Sequence, residues 1–360
     1  MKVALLTPTF SGFSGIDRVV YDQAVQLLGQ GNEVSIIAFD TDMEPPAGAT
    51  LHILGMPRGL LRQRIYRLLL PFLFWNNSRL TNSVKGYDVI YSHQYPMNWL
   101  AWLAKQRLGT KYIYYDYGIA PPEAFSNLVE RLYMFAFVRL ANWTARKADA
   151  AISISRYLKK ALYRDTGLVS EVIYPRIDTQ RFRTGLDGSS IRAKYNLGER
   201  PVVLYVGRIS PHKGIHLLIK SFLDVRRQII EARLLVVGKH TFDRYSRQLK
   251  SMSDESVVFA GYIPDEEIPG CYAACDIYAT GTLWEGFNLP LAEAQACGKP
   301  VVAFNLGPHP EVVSDNETGC LVRPLDTSAM ARAITALLNG RQKARDMGAK
   351  GAALIKERFC

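Results

Sequence analysis

Cysteine is absent from the first half of the chain; all five, Cys271, Cys275, Cys297, Cys320 and Cys360, lie in the second half at spacings that match no zinc or redox pattern. Their number and placement argue against a zinc or redox site, and reduced thiols in a cytosolic protein are the simplest reading. Long hydrophobic runs are also missing. The run Leu68–Trp75, broken by Pro71, is far short of the roughly 20 residues that cross a bilayer. Met1–Thr7 has one lysine and an apolar stretch that ends at Pro8, too brief for a secretory signal and suited to a first strand. Acidic residues are absent from Pro45 to Tyr87, a stretch that holds Arg58, Arg62, Arg64, Arg67, Arg79 and Lys85.

What is present is an ordinary globular composition, with 48% hydrophobic and 21% charged residues over 360 positions. Single cores stop growing near roughly 250–300 residues, so two domains are expected. The net charge of +11 points to an anionic partner without choosing among nucleic acid, membrane and phosphorylated small molecules.

Short β-rich runs alternate with helix-length segments. Val3–Thr7, Glu33–Phe39, Asp88–Ser92, Lys111–Tyr115, Ala150–Ser155 and Glu171–Tyr174 read as strands of the first half. Val202–Val206, Arg233–Val237, Val257–Ala260, Ile277–Thr280 and Val301–Phe304 repeat the rhythm, with helices at Ile215–Arg226, Leu289–Cys297 and Ala329–Leu338. Such alternation implies βαβ units and parallel sheets, with ligands beyond the carboxyl ends of the strands. The polar stretch after Pro175 marks the boundary, giving domains 1–179 and 180–360.

Two segments carry chemistry. In Val206-Gly207-Arg208-Ile209-Ser210-Pro211-His212-Lys213-Gly214, two cations and backbone N–H groups fall between a strand and a helix, a setting for a diphosphate, although the segment alone also fits a solvated basic loop. In Trp284-Glu285-Gly286-Phe287-Asn288-Leu289-Pro290-Leu291-Ala292-Glu293, Asn288 can cap a helix that Pro290 helps to start. Glu285 then precedes that helix and Glu293 lies inside it, two carboxylates suited to sugar and ribose hydroxyls.

Together with Glu293-Ala294-Gln295-Ala296-Cys297-Gly298-Lys299-Pro300-Val301-Val302, Pro310-Glu311-Val312-Val313 and Thr318-Gly319-Cys320-Leu321-Val322, these segments resemble the donor domain of family-4 retaining glycosyltransferases. The resemblance implies an α/β GT-B fold, two Rossmann-like domains whose parallel sheets face an interdomain cleft. It implies transfer of a hexose from a UDP- or GDP-linked sugar to an acceptor hydroxyl with retention, and without a metal or other cofactor. By the same resemblance Arg208 and Lys213 bind the donor diphosphate, Glu285 the sugar and Glu293 the ribose. Gly12, Gly15, Gly207, Lys239, Tyr262, Ile263, Gly286, Phe287, Asn288 and Leu289 complete the donor-binding set.

In the first half, Ser11-Gly12-Phe13-Ser14-Gly15 is similar to the family's glycine loop. Its spacing departs from that of dinucleotide sites, and Asp40-Thr41-Asp42 reads as a solvated loop. At Asp116-Tyr117-Gly118 many relatives have histidine where this chain has Tyr117. Asp116, Tyr117 and His93 are therefore the acceptor-side candidates, and Asp116 and Tyr117 join Arg208, Lys213 and Glu285 as catalytic candidates. The chain closes at Glu357-Arg358-Phe359-Cys360, where the family's crossover helix is expected to be shortened or absent.

Residues 56–80, where arginines alternate with apolar and aromatic residues, suit peripheral contact with an anionic membrane. Tyr133–Trp143, apolar and aromatic as well, is expected in the core. The expected partners are a nucleotide-sugar and a glycan or lipid-linked acceptor, not nucleic acid, and the expected location is cytoplasmic, on the membrane's cytoplasmic face. A GT-B protein that binds nucleotide-sugars without transfer, and a GT-B epimerase or phosphorylase, remain open alternatives.

Overall fold

The computed structural model describes residues 1–12, 15–72, 80–124, 127–240 and 242–360. Phe13 and Ser14 of the glycine loop, and Leu73, Phe74, Trp75 and Arg79 of the basic segment, lie outside the described residues. The chain divides into two compact units, Met1–Tyr174 and Pro175–Cys360.

In the first unit β1 (Lys2–Thr7), β2 (Glu33–Ala38), β3 (Thr50–Ile53), β4 (Val89–Ser92), β5 (Lys111–Asp116), β6 (Ala150–Ser153) and β7 (Glu171–Val172) form a parallel sheet in the order β3-β2-β1-β4-β5-β6-β7. The second unit has β8 (Val202–Val206), β9 (Arg233–Val237), β10 (Val257–Gly261), β11 (Ile277–Thr280), β12 (Val301–Phe304) and β13 (Gly319–Val322), also parallel, in the order β10-β9-β8-β11-β12-β13. Each sheet reverses its winding beside its first strand, between β1 and β4 and between β8 and β11. There successive crossovers leave in opposite directions and open a crevice at the carboxyl edge. Helices on both faces bury the central strands, which explains their continuous rather than alternating apolar sequences, as in Val-Val-Ala-Phe of β12.

Two strands lacked such a signal. β3 is a short, largely exposed edge strand whose apolar residues alternate with Thr50 and His52, and β13 begins at a glycine. The expected core run Tyr133–Trp143 belongs to the helix Leu128–Ala145 and needs correction. Ala141, Thr144 and Ala145 are buried, while Phe135 on the opposite face is 53% exposed, because the helix packs along one side only. Among the described residues no helix is long and apolar enough to cross a membrane.

The last helix, Arg341–Arg358, is a full 18 residues and folds back within the second unit. Ile177 N donates to Phe359 O at 2.7 Å, and the Phe359 ring packs edge-on against Phe287 at 5.4 Å. The helix reaches Gly298 through Gly348, where a Cβ would lie 2.0 Å from the Gly298 carbonyl oxygen; at Gly351 it would meet only the Gln295 side chain, at 3.3 Å. Replacing glycine by alanine inside a helix ordinarily gains about 1 kcal/mol. Gly348→Ala should instead lose about 1–3 kcal/mol through overpacking against backbone, with Gly351→Ala close to neutral. Thermal unfolding of the two variants tests this, and equal stability would remove the contact from the account.

Candidate functional site

The second unit's crevice is bounded by the segments that leave β8 and β11. Gly207, at φ 150, follows β8, and Gly238, at φ 146, follows β9. A Cβ on Gly238 would fall 1.8 Å from the Gly207 carbonyl, so only glycine allows the two exits to touch. Gly214, at φ 61, plays the same part against Gly281, with its Cβ position 1.8 Å from the Gly281 carbonyl. These contacts bring a short turn, Pro211–Lys213, against the segment after β11, where Leu283 N donates to His212 O at 2.9 Å.

Two of the sequence-derived residues meet there: Lys213 Nζ pairs with Glu285 Oε1, both largely buried. Burial pushes the Glu285 carboxyl up, but the charge and hydrogen bond of Lys213 outweigh it and leave its pKa below the ordinary value. Glu285 is thus an anion at neutral pH. His212 is held neutral, its pKa pushed down to about 4 by burial and by the Lys213 and Arg208 charges. Arg208 is exposed; its carbonyl, not its side chain, is anchored, by Tyr205 OH at 3.1 Å. Lys239 is exposed on the neighbouring exit, where its carbonyl accepts from Ile209 N at 3.0 Å. Beyond β10, Tyr262 is 53% exposed and Ile263 is buried.

Gly286 and Phe287 are buried, and the helix Leu289–Ala296 follows. Asn288 occupies its N-cap position, but the expected side-chain cap is absent. The left-handed backbone, φ 77 and ψ 67, goes with a side chain directed elsewhere: Asn288 Nδ2 lies 2.9 Å from His309 Nε2. His309, fully buried, also has Nδ1 2.7 Å from the Phe304 carbonyl. Because that carbonyl can only accept, Nδ1 carries the proton and Nε2 accepts from Asn288. Burial lowers the His309 pKa and keeps the ring neutral. The sequence reading passed over His309, whose one signal was its place beside the Pro310-Glu311 motif. Inside the helix, Glu293 is buried and accepts from Tyr272 OH at 2.7 Å.

In the first unit the segment after β1 is organised by Asp17, also missed from sequence. It is buried in the first turn of the helix Gly15–Gly29 and accepts from Thr7 Oγ1 at 2.9 Å, Thr9 Oγ1 at 3.3 Å and Ser11 N at 3.0 Å. Asp42 does more than line a solvated loop: though exposed, it accepts from Gly12 N and Ser11 Oγ, each at 3.1 Å. A Cβ on Gly12 would meet nothing within 4 Å, so packing within the chain does not explain that glycine.

His93 follows β4 and is completely buried, with Nδ1 2.8 Å from Tyr117 OH and Nε2 without a hydrogen-bond partner among the described residues. It stacks on Tyr115 at 5.1 Å, and burial pushes its pKa down to about 3. Gln94, next in sequence, is held at φ 93, a costly conformation for a residue with a side chain. Asp116 accepts from Gly118 N at 2.9 Å and, at 3.4 Å each, from Tyr114 OH and Ser153 Oγ. The three acceptor-side candidates are therefore adjoining buried groups at the exits of β4 and β5, engaged with the protein itself.

The chain's two halves match two family models in turn: Glycosyltransferase Family 4 over residues 13–181 and Glycosyl transferases group 1 over residues 188–353. It is 35% identical over 219 residues to a GDP-mannose-dependent alpha-(1-6)-phosphatidylinositol monomannoside mannosyltransferase of Mycolicibacterium smegmatis, covering 57% of this chain and 56% of that protein. The chain thus spans little more than half the length of that relative. It is 28% identical to a D-inositol 3-phosphate glycosyltransferase of Nocardia farcinica over 97% of this chain and 82% of the other. Among solved structures, the GT-B fold is shared with the Anabaena HepE protein in complex with UDP and glucose, with 23% identity, a TM-score of 0.83 and coverage of 100% of this chain and 95% of that one.

Two outcomes follow. Burial pushes the Asp116 carboxyl up to about 6, against hydrogen bonds that favour its charged form, from an ordinary 3.8. Between those values the folded protein keeps a proton that the unfolded chain has released, so this group's contribution to stability falls as pH rises through the window. Urea unfolding should show the stability of Asp116→Asn, minus that of wild type, rising by about 2–3 kcal/mol from about pH 4 to about pH 7; a flat difference would contradict the assignment. His309→Ala strands the Asn288 amide and the Phe304 carbonyl, and should cost about 2–4 kcal/mol in thermal unfolding, whereas a variant as stable as wild type would refute the clamp.

Proposed function

The chain belongs to the family-4 glycosyltransferases of the GT-B fold, and on that premise we propose that it is a retaining hexosyltransferase acting on a membrane-associated glycolipid or lipid-linked saccharide. The donor is a UDP- or GDP-linked sugar. The observation that carries the donor reading is the convergence of Arg208, Lys213, Glu285 and the helix bearing Glu293 on the two segments that flank the β8/β11 reversal. The UDP and glucose bound to HepE, and the GDP-mannose and phosphatidylinositol monomannoside named for the mycobacterial relative, support the donor and acceptor classes.

In this reading Arg208 and Lys213 hold the diphosphate, Glu285 the sugar hydroxyls and Glu293 the ribose. A diphosphate competes with Glu285 for Lys213, so donor entry releases the carboxylate for the sugar. The bond from the anomeric carbon to the phosphate oxygen breaks as the acceptor oxygen bonds on the same face, and the acceptor's proton passes to the leaving phosphate. No step calls for a metal. Tyr117, standing where the family resemblance leads one to expect histidine, favours a second reading in which the protein binds nucleotide-sugars without transferring them.

A panel of UDP- and GDP-sugars, followed by nucleotide binding and release, separates these readings. Arg208→Ala should weaken donor binding by about ten- to hundred-fold, the worth of a charge-assisted contact. Glu293→Ala should abolish the preference for ribonucleotide over 2′-deoxyribonucleotide. Unaltered binding in both variants would overturn the site, and tight binding without transfer or hydrolysis would favour the second reading.

A further inference from the structure

We infer that the first unit carries a docking surface for an anionic lipid membrane, built from two helices rather than from the basic segment alone. This rests on the reading above only in supplying the route to a lipid-linked acceptor. The helix Leu60–Leu69 exposes Leu61, Ile65 and Leu69, one stripe at four-residue spacing, and Phe72 follows; their exposures run from 47% to 72%. The helix Leu128–Ala145 exposes Leu128, Val129, Leu132 and Phe135, from 53% to 73%. A helix that serves only the core turns its apolar stripe inward. With Trp143 near the end of the second helix, these two segments hold nine of the twenty large apolar residues exposed among the described residues.

The two helices are locked together. Arg64 forms an ion pair with Glu130 at 3.2 Å, and its guanidinium lies 5.4 Å above the Tyr133 ring. Tyr95 bridges them, donating to Arg67 O at 2.9 Å and meeting the Phe137 ring edge-on at 5.0 Å. The sequence supplies no acid between Glu44 and Asp88, and only Glu130 between Glu123 and Asp149. Arg64 neutralises Glu130, while Arg58, Arg62, Arg131 and Arg139 remain exposed around the apolar side chains. Arg67 is not among these surface cations: it is half-buried, and burial lowers its pKa.

An apolar centre with a cationic rim, in which the one acid borne by the two helices is paired with Arg64, matches the boundary between acyl chains and anionic headgroups. A second copy of the same surface would set arginines against arginines. Nucleic acid would engage the arginines and leave the leucines and phenylalanines exposed.

Flotation with vesicles of phosphatidylcholine, alone or in equal parts with phosphatidylglycerol, tests the surface. Wild type should float with the anionic vesicles only, and less as salt rises. Leu132→Ser with Phe135→Ser, on the second helix, should lower partitioning at least about ten-fold while UDP or GDP affinity and the thermal midpoint stay at wild-type values. The inference is overturned if that variant floats like wild type, if wild type ignores anionic vesicles, or if wild type is a dimer that these substitutions dissociate. Absence of nucleotide binding in wild type would defeat the transferase reading and leave the flotation result to stand on its own.

Discussion

Where β8 ends, the second unit's backbone runs against itself at two places, Gly207 against Gly238 and Gly214 against Gly281, with no room for a side chain at either. The arrangement of the site follows from those contacts. With Gly214 against Gly281, the Pro211–Lys213 turn lies beside the segment after β11, and a lysine and a glutamate 72 residues apart in sequence can meet. Larger residues at 214 or 281 would force the turn outward, and the cation and carboxylate would face solvent separately. Glycine acts here by allowing approach rather than by giving freedom.

The ion pair that results is poor evidence for stability, because removing both charges from water offsets much of their attraction. Its consequence is electrostatic. Lys213 keeps Glu285 ionised against burial, which favours the protonated form, and the histidines nearby, His212 and His309, are both shifted toward their neutral forms. The crevice therefore holds a fixed carboxylate, a cation already satisfied, and an exposed Arg208. A ligand bearing phosphate at one end and hydroxyls at the other can redistribute these contacts without a new charge being buried.

Most of the fold was legible because burial on both faces of a parallel strand leaves a dense apolar run, as in Val202–Val206 and Ile277–Thr280, whose ends were read without error. β3 escaped because an exposed edge strand places little demand on its sequence. Of the site, the charged groups were legible because charges at strand exits have few structural reasons to be there. The groups that position them were not. Asn288 looks like a cap, and only the left-handed backbone reveals that its side chain goes to His309, 21 residues away. Asp17 lies in a helix's first turn, where acids are ordinary, and nothing in the local sequence marks the convergence of Thr7, Thr9 and Ser11 on it. Periodicity could not divide the helix Leu128–Ala145 into a packed and an exposed face, since both are apolar.

The two units repeat one topology with opposite electrostatics. At the β8/β11 reversal the exits present charge, in Arg208 and in the Lys213–Glu285 pair. At the β1/β4 reversal, and at the neighbouring exit of β5, hydrogen bonds between buried groups replace it: Asp17 is spent on its own loop, His93 is neutral and bound to Tyr117, and Asp116 has its proton affinity raised by burial. A diphosphate would find compensating cations at the first of these reversals and none among those groups at the second. A neutral, buried imidazole such as that of His93 discriminates hydroxyl-bearing molecules by hydrogen-bond geometry, because a misplaced hydroxyl leaves a buried donor or acceptor unpaired. His93, with one ring nitrogen joined to Tyr117 and the other unpaired among the described residues, meets that condition most directly.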